Sequence, residues 1–142
     1  MSTKMRHTGI VVTNLQESKK FYCDLLGFTV QTEMDEYGKF MDKLLGLENV
    51  MVTTSKMILE NGSMLELLEY KSHPEPKEKI KISRLGCSHI ALTVDDLDSL
   101  YDRLTAHGIE FNTSPLRSPD GKVKVVFCKD LDGNFIELVE EL

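Results

Sequence analysis

The chain has 142 residues, 41% hydrophobic and 28% charged, with 17 basic against 23 acidic side chains and a net charge of −6. This length suits one domain whose core needs no disulfide or metal staple, and the acidic balance disfavours nucleic acid and anionic membrane as partners. No apolar run is long enough to span a bilayer, the polar stretch Met1 to His7 is unlike a secretory signal, and three cysteines (Cys23, Cys87, Cys128) without CxxC spacing suggest reduced thiols in the cytoplasm.

The first strand is predicted over His7 to Val12, where β-branched residues alternate. Asn14 follows as a helix N-cap, and Leu15, Ser18, Tyr22 and Leu25 recur on one helical face until Gly27 stops the helix. Phe28 to Glu33 reads as a second strand. Phe40, Leu44 and Leu47 then fall at helical spacing and predict a short amphipathic helix, either a lid over a site or packing for a sheet edge or partner. Asn61-Gly62 is a hairpin signal leading into a strand over Met64 to Glu69. The segment KSHPEPKEKIK, Lys71 to Lys81, is charged, carries Pro74 and Pro76, and reads as a surface linker.

After the linker the pattern restarts. A strand begins at His89, and Asp95 or Asp96 caps a helix bearing Leu97, Leu100 and Leu104 and closing at Gly108. Asp132-Gly133 is a second hairpin signal, followed by a strand over Phe135 to Glu140. The likeness extends to the residues themselves. His7 to Leu15 aligns without gaps on His89 to Leu97, and Asn61 to Glu69 aligns on Asp132 to Glu140. His7 to Glu66 spans 59 positions and His89 to Glu137 spans 48, so the first half carries 11 more, between Tyr37 and Leu47. Two matched pairs in the same order indicate an internal duplication of a β-α-β-β-β unit. Each unit, of about 70 residues, is too small for a deep core of its own.

The duplication singles out four side chains. Strand alternation turns His7, with Gly9 and Val11, away from the face of Thr8, Ile10 and Val12, and turns Glu66 away from Leu65 and Leu67. The same rule separates His89 from Ile90, Leu92 and Val94, and Glu137 from Ile136 and Leu138. A Glu flanked by Leu or Ile inside a strand is costly to bury unless it is paired or bound to a metal. Two imidazoles and two carboxylates able to converge about a pseudo-two-fold axis suit a divalent ion such as Zn, Ni, Co, Fe or Mn. His73, in the linker, reads as solvated, and His107 as a helix-end residue suited to the dipole.

The segments RHTGIVVTNLQESKKFYCDLLGF, GSMLELLEY, GCSHIALTVDDLDSLYDRLTAHGI and KDLDGNFIELVEE cover most of both halves and resemble the vicinal oxygen chelate superfamily. This superfamily includes glyoxalase I, methylmalonyl-CoA epimerase, extradiol dioxygenases and fosfomycin- and bleomycin-resistance proteins. The resemblance implies one α+β domain over residues 1–142, built as module 1 (about 4–70), a linker (71–84) and module 2 (about 85–142). Two tandem βαβββ modules would form a cup-shaped mixed sheet with helices outside, around one divalent metal per site. Its ligand positions fall on His7, Glu66, His89 and Glu137, and its catalytic carboxylates on Glu66 and Glu137. Glu at both acidic positions is most similar to glyoxalase I, whereas epimerases commonly carry Gln at the first. Glyoxalase I usually has an Arg in its first strand for a glutathione carboxylate, and here that strand carries Val11 and Val12. The implied activity is that of a lyase or isomerase transferring a proton next to a carbonyl through an enediolate or enolate, on a small-molecule substrate, in a cytoplasmic homodimer. The same scaffold also serves dioxygenases, resistance-type transferases and non-catalytic binding proteins.

Overall fold

The strand–helix–three-strand unit occurs twice in the computed structural model, which describes all 142 residues. The chain divides into two units, Met1–Pro76 and Lys77–Leu142, and each has its own four-stranded mixed sheet. Unit 1 contains β1 (Thr8–Val11), α1 (Leu15–Lys19), β2 (Thr29–Tyr37), α2 (Lys39–Leu45), β3 (Met51–Ile58) and β4 (Met64–Tyr70), in the sheet order β1-β4-β3-β2. Unit 2 contains β5 (His89–Thr93), α3 (Leu97–Ala106), β6 (Leu116–Arg117), β7 (Val123–Lys129) and β8 (Phe135–Glu141), in the order β5-β8-β7-β6. In both, the first and last strands run parallel and the remaining pairs antiparallel. The fold class is α+β with two tandem βαβββ modules.

Local chemistry accounts for the element ends. Asn14 Oδ1 accepts the Glu17 amide at the start of α1, and Asp96 Oδ1 accepts the Ser99 amide at the start of α3. Gly62 and Gly133, at φ 88° and 86°, sit in the left-handed region that the two hairpin turns require. Alternation decides burial. Leu65 and Leu67 of β4, and Ile136 and Leu138 of β8, are buried at 2% exposure or less. With Leu15, Phe21, Tyr22 and Met57 in unit 1, and Leu97, Leu104 and Val126 in unit 2, they form the two cores.

Several elements differ from the sequence expectation. β1 starts at Thr8, leaving His7 just ahead of it. The first helix changes to a π-helix over Lys20–Leu25, where the wider turn lets the adjacent Phe21 and Tyr22 both bury, ring to ring at 4.9 Å. β2 continues through its charges to Tyr37, because an edge strand needs only its ladder to β3, and Thr53 donates to Asp35 across it. The amphipathic helix ends at Leu45, and Phe40 and Leu44 are exposed at 75% and 64%, so neither is seated on a core.

Ser55 in β3 is fully buried, and its hydroxyl has no hydrogen-bond partner. An unsatisfied buried hydroxyl destabilises its site. Ser55→Ala should therefore raise stability by about 0.5–1 kcal/mol, read as a higher midpoint in urea unfolding with unchanged slope.

Candidate functional site

Parallel pairing of the first and last strands sets the site. In unit 1 Gly9 lies beside Glu66, and in unit 2 Ala91 lies beside Glu137. The His two residues upstream of each small residue therefore reaches diagonally to the Glu. His7 Nε2 lies 3.7 Å from Glu66 Oε1, and His89 Nε2 lies 3.2 Å from Glu137 Oε2. Both Glu side chains are largely covered, at 13% and 25% exposure. Each module thus joins its own His to its own Glu, and within neither do three such donors assemble.

The surroundings of the two pairs differ. The His89 ring is oriented by Ser88, whose Oγ lies 2.6 Å from Nδ1, and it meets the Phe127 ring edge-on at 5.1 Å. When Nδ1 carries the proton and donates it to Ser88, Nε2 presents its lone pair toward Glu137, the tautomer a metal ligand needs. In β3, Lys56 occupies the position beside Glu66 that Phe127 occupies beside Glu137 in β7. Its Nζ is 4.0 Å from Glu66 Oε2.

A second matched pair of carboxylates went unread in the sequence. Glu69 Oε2 accepts the Leu15 amide at 3.0 Å, and Glu140 Oε2 accepts the Leu97 amide at 2.9 Å. Each sits one residue before the end of its strand and satisfies a free donor at the helix start. The gap-free alignment of Asn61–Glu69 on Asp132–Glu140 was the available signal.

The remaining candidates lie elsewhere. His107 Nδ1 is 2.8 Å from the Arg103 carbonyl at the end of α3, and His73 Nδ1 is 2.8 Å from Ser72 Oγ. All three cysteines are free thiols, and burial, with Asp130 nearby, pushes Cys128 up to about 12, so it is neither nucleophile nor ready ligand. Lys77, expected in a free linker, donates to the Leu131 carbonyl at 3.1 Å. It helps line a cavity of about 520 Å³ with Glu110, Lys129 and Asp132, which contains neither His89 nor Glu137. No helix is long and apolar enough to cross a membrane.

Comparison with known proteins sets this geometry in a family. A relative from Escherichia coli (strain K12), "Uncharacterized protein YaeR", is 30% identical over 138 residues, covering 97% of this chain and 96% of its own length. A "Probable lactoylglutathione lyase" from Synechocystis sp. is 29% identical over 135 residues, covering 94% and 92%. The solved structure of a glyoxalase family protein from Bacillus cereus superposes with a TM-score of 0.92 at 24% identity, covering 100% of this chain and 96% of that one. The model of the Glyoxalase/Bleomycin resistance protein/Dioxygenase superfamily matches residues 4–138, and the chain belongs to that superfamily.

Proposed function

We propose that this protein is a divalent-metal-dependent lyase or isomerase of glyoxalase type, which moves a proton on a carbon next to a carbonyl of a small oxygenated substrate. The observation that carries the reading is the His–Glu juxtaposition made twice, at matched positions, on the sheet face opposite the buried leucines. The residues fit an ion. Two imidazole nitrogens and two carboxylates form a donor set suited to Zn, Ni, Co, Fe or Mn. Glu66 is largely covered yet has no Lys or Arg closer than 4.0 Å to balance it, and a covered carboxylate calls for such balance.

His7, Glu66, His89 and Glu137 would hold the metal, the second module coming from the same chain or from a second copy. When bound, such an ion supplies Lewis acidity toward vicinal oxygens of the substrate. Glu66 or Glu137 takes the proton from carbon and returns it to the neighbouring position, as a positioned carboxylate can. Ser88, with Oγ 2.6 Å from Nδ1, would hold His89 in its ligand tautomer by accepting the Nδ1 proton. The name of the Synechocystis relative supports the lyase assignment. A cytoplasmic homodimer acting on a small molecule belongs to the same reading.

The test is metal analysis after repletion, joined to proton exchange in deuterated water with 2-oxoaldehyde, acyl-CoA and sugar-ketone substrates. Site-stoichiometric divalent metal and deuterium on the carbon next to the carbonyl are expected, both lost with chelator. Absence of tight metal, or exchange that persists without it, overturns the reading.

A further inference from the structure

The two modules repeat one row of the sheet with a single change of chemistry. In unit 1 the row reads Gly9, Glu66, Lys56, Thr32, and in unit 2 it reads Ala91, Glu137, Phe127. A small residue and a Glu recur, while the third place holds a cation in one copy and an aromatic ring in the other. Lys56 is also the one Lys or Arg in the four strands of unit 1. Two of the three strand cations of unit 2 are held more closely. Lys124 is 2.7 Å from Asp98, and Lys129 is 3.6 Å from Glu110.

Lys56 is not clamped in this way. Its Nζ is 4.0 Å from Glu66 Oε2, at the outer limit of an ion pair, and its side chain is 38% exposed. A four-carbon stem ending in a rotatable ammonium suits capture of an anion that arrives from solvent. Glu66 cannot give its full charge to Lys56 and also serve as a metal ligand. Resting on the reading above, occupation of Glu66 by an ion leaves Lys56 facing the substrate without its partner.

We propose that Lys56 is the anion-binding residue of the site. The substrate is then a small compound with vicinal oxygens that carries a carboxylate or phosphate a few bonds from its reacting carbon. Lys56 draws that anion to the face of unit 1 that carries Glu66, whereas the matched place in unit 2 holds the apolar Phe127.

Calorimetric titration of the metal-loaded protein tests this with three α-hydroxyketones: neutral hydroxyacetone, dihydroxyacetone phosphate, and 5-hydroxylevulinate, which carries a carboxylate. The wild type should bind one or both anionic compounds roughly ten-fold or more tighter than hydroxyacetone. The compound preferred tells phosphate from carboxylate. Lys56→Met should reduce that preference to about two-fold or less, with hydroxyacetone affinity unchanged, and Lys56→Arg should keep it. Equal binding of all three by the wild type, no binding of the anionic pair, or a preference that survives in Lys56→Met overturns the proposal. Metal content of the wild type, Lys56→Met and Lys56→Arg, measured on the same preparations, reports separately on the metal site.

Discussion

Glu66→Gln and Glu137→Gln are each expected to lower turnover by about 10²–10⁴-fold, the range lost when a positioned general base is removed. Glutamine keeps the volume and an oxygen of the carboxylate but cannot take a proton from carbon. It also removes one negative charge from the donor set, so part of the bound metal should go with it. The change is conservative for the fold, because neither Glu belongs to the buried cores. Turnover measured on metal-repleted variants, with thermal unfolding as control, reads this directly. The variant that falls further identifies the base, since the strand geometry around the two is nearly the same. Wild-type turnover in both would sink the assignment of carboxylates to proton transfer.

Glu69→Ala and Glu140→Ala should each cost about 1–3 kcal/mol, the range for a covered, charge-assisted hydrogen bond whose donor is left unsatisfied. In a chain of this size that is a fall in Tm of roughly 3–10 °C. The Glu69 case carries a pH signature. Burial pushes its carboxyl up, but the Lys71 ammonium and the Leu15 amide outweigh burial and hold it below the ordinary value. A carboxyl lowered in the folded state stabilises the fold while ionised, fully above the ordinary Glu range near about 4.3. That contribution is lost as pH falls through the lowered folded value. The Tm gap between wild type and Glu69→Ala should be widest near neutral pH and close in acid. A gap that widens in acid would contradict the cap.

The sequence reached both hairpins, both caps and the duplicated His and Glu positions because these rest on residue types with narrow uses. Asn14 and Asp96 have short oxygens suited to a first helical turn, and Gly62 and Gly133 tolerate a backbone that other residues avoid. What escaped depends on partners distant in the chain. Glu69 at a strand end looks like any solvated acid until Leu15, 54 residues away, is placed over it. The π-helix leaves the spacing of Leu15, Ser18 and Tyr22 intact, so periodicity does not reveal it. Lys56 reads as an ordinary charged strand residue, and only the ladder register sets it beside Glu66 and opposite in kind to Phe127.

The last strand of each module carries two carboxylates on opposite faces, the proposed ligand Glu on one and the helix-capping Glu, three residues on, on the other. A slip of one residue in β4 or β8 exchanges the faces of every side chain. It would drive Glu66 or Glu137 toward the leucine core and pull the cap off its helix in the same event. A change of length is therefore costly in these strands and cheaper in β2 and β6, the edge strands that carry neither of these two carboxylates. The chain displays both ends of that freedom, a nine-residue β2 in one module and a two-residue β6 in the other. The outer edge is where this architecture absorbs changes of length while its chemistry stays in register.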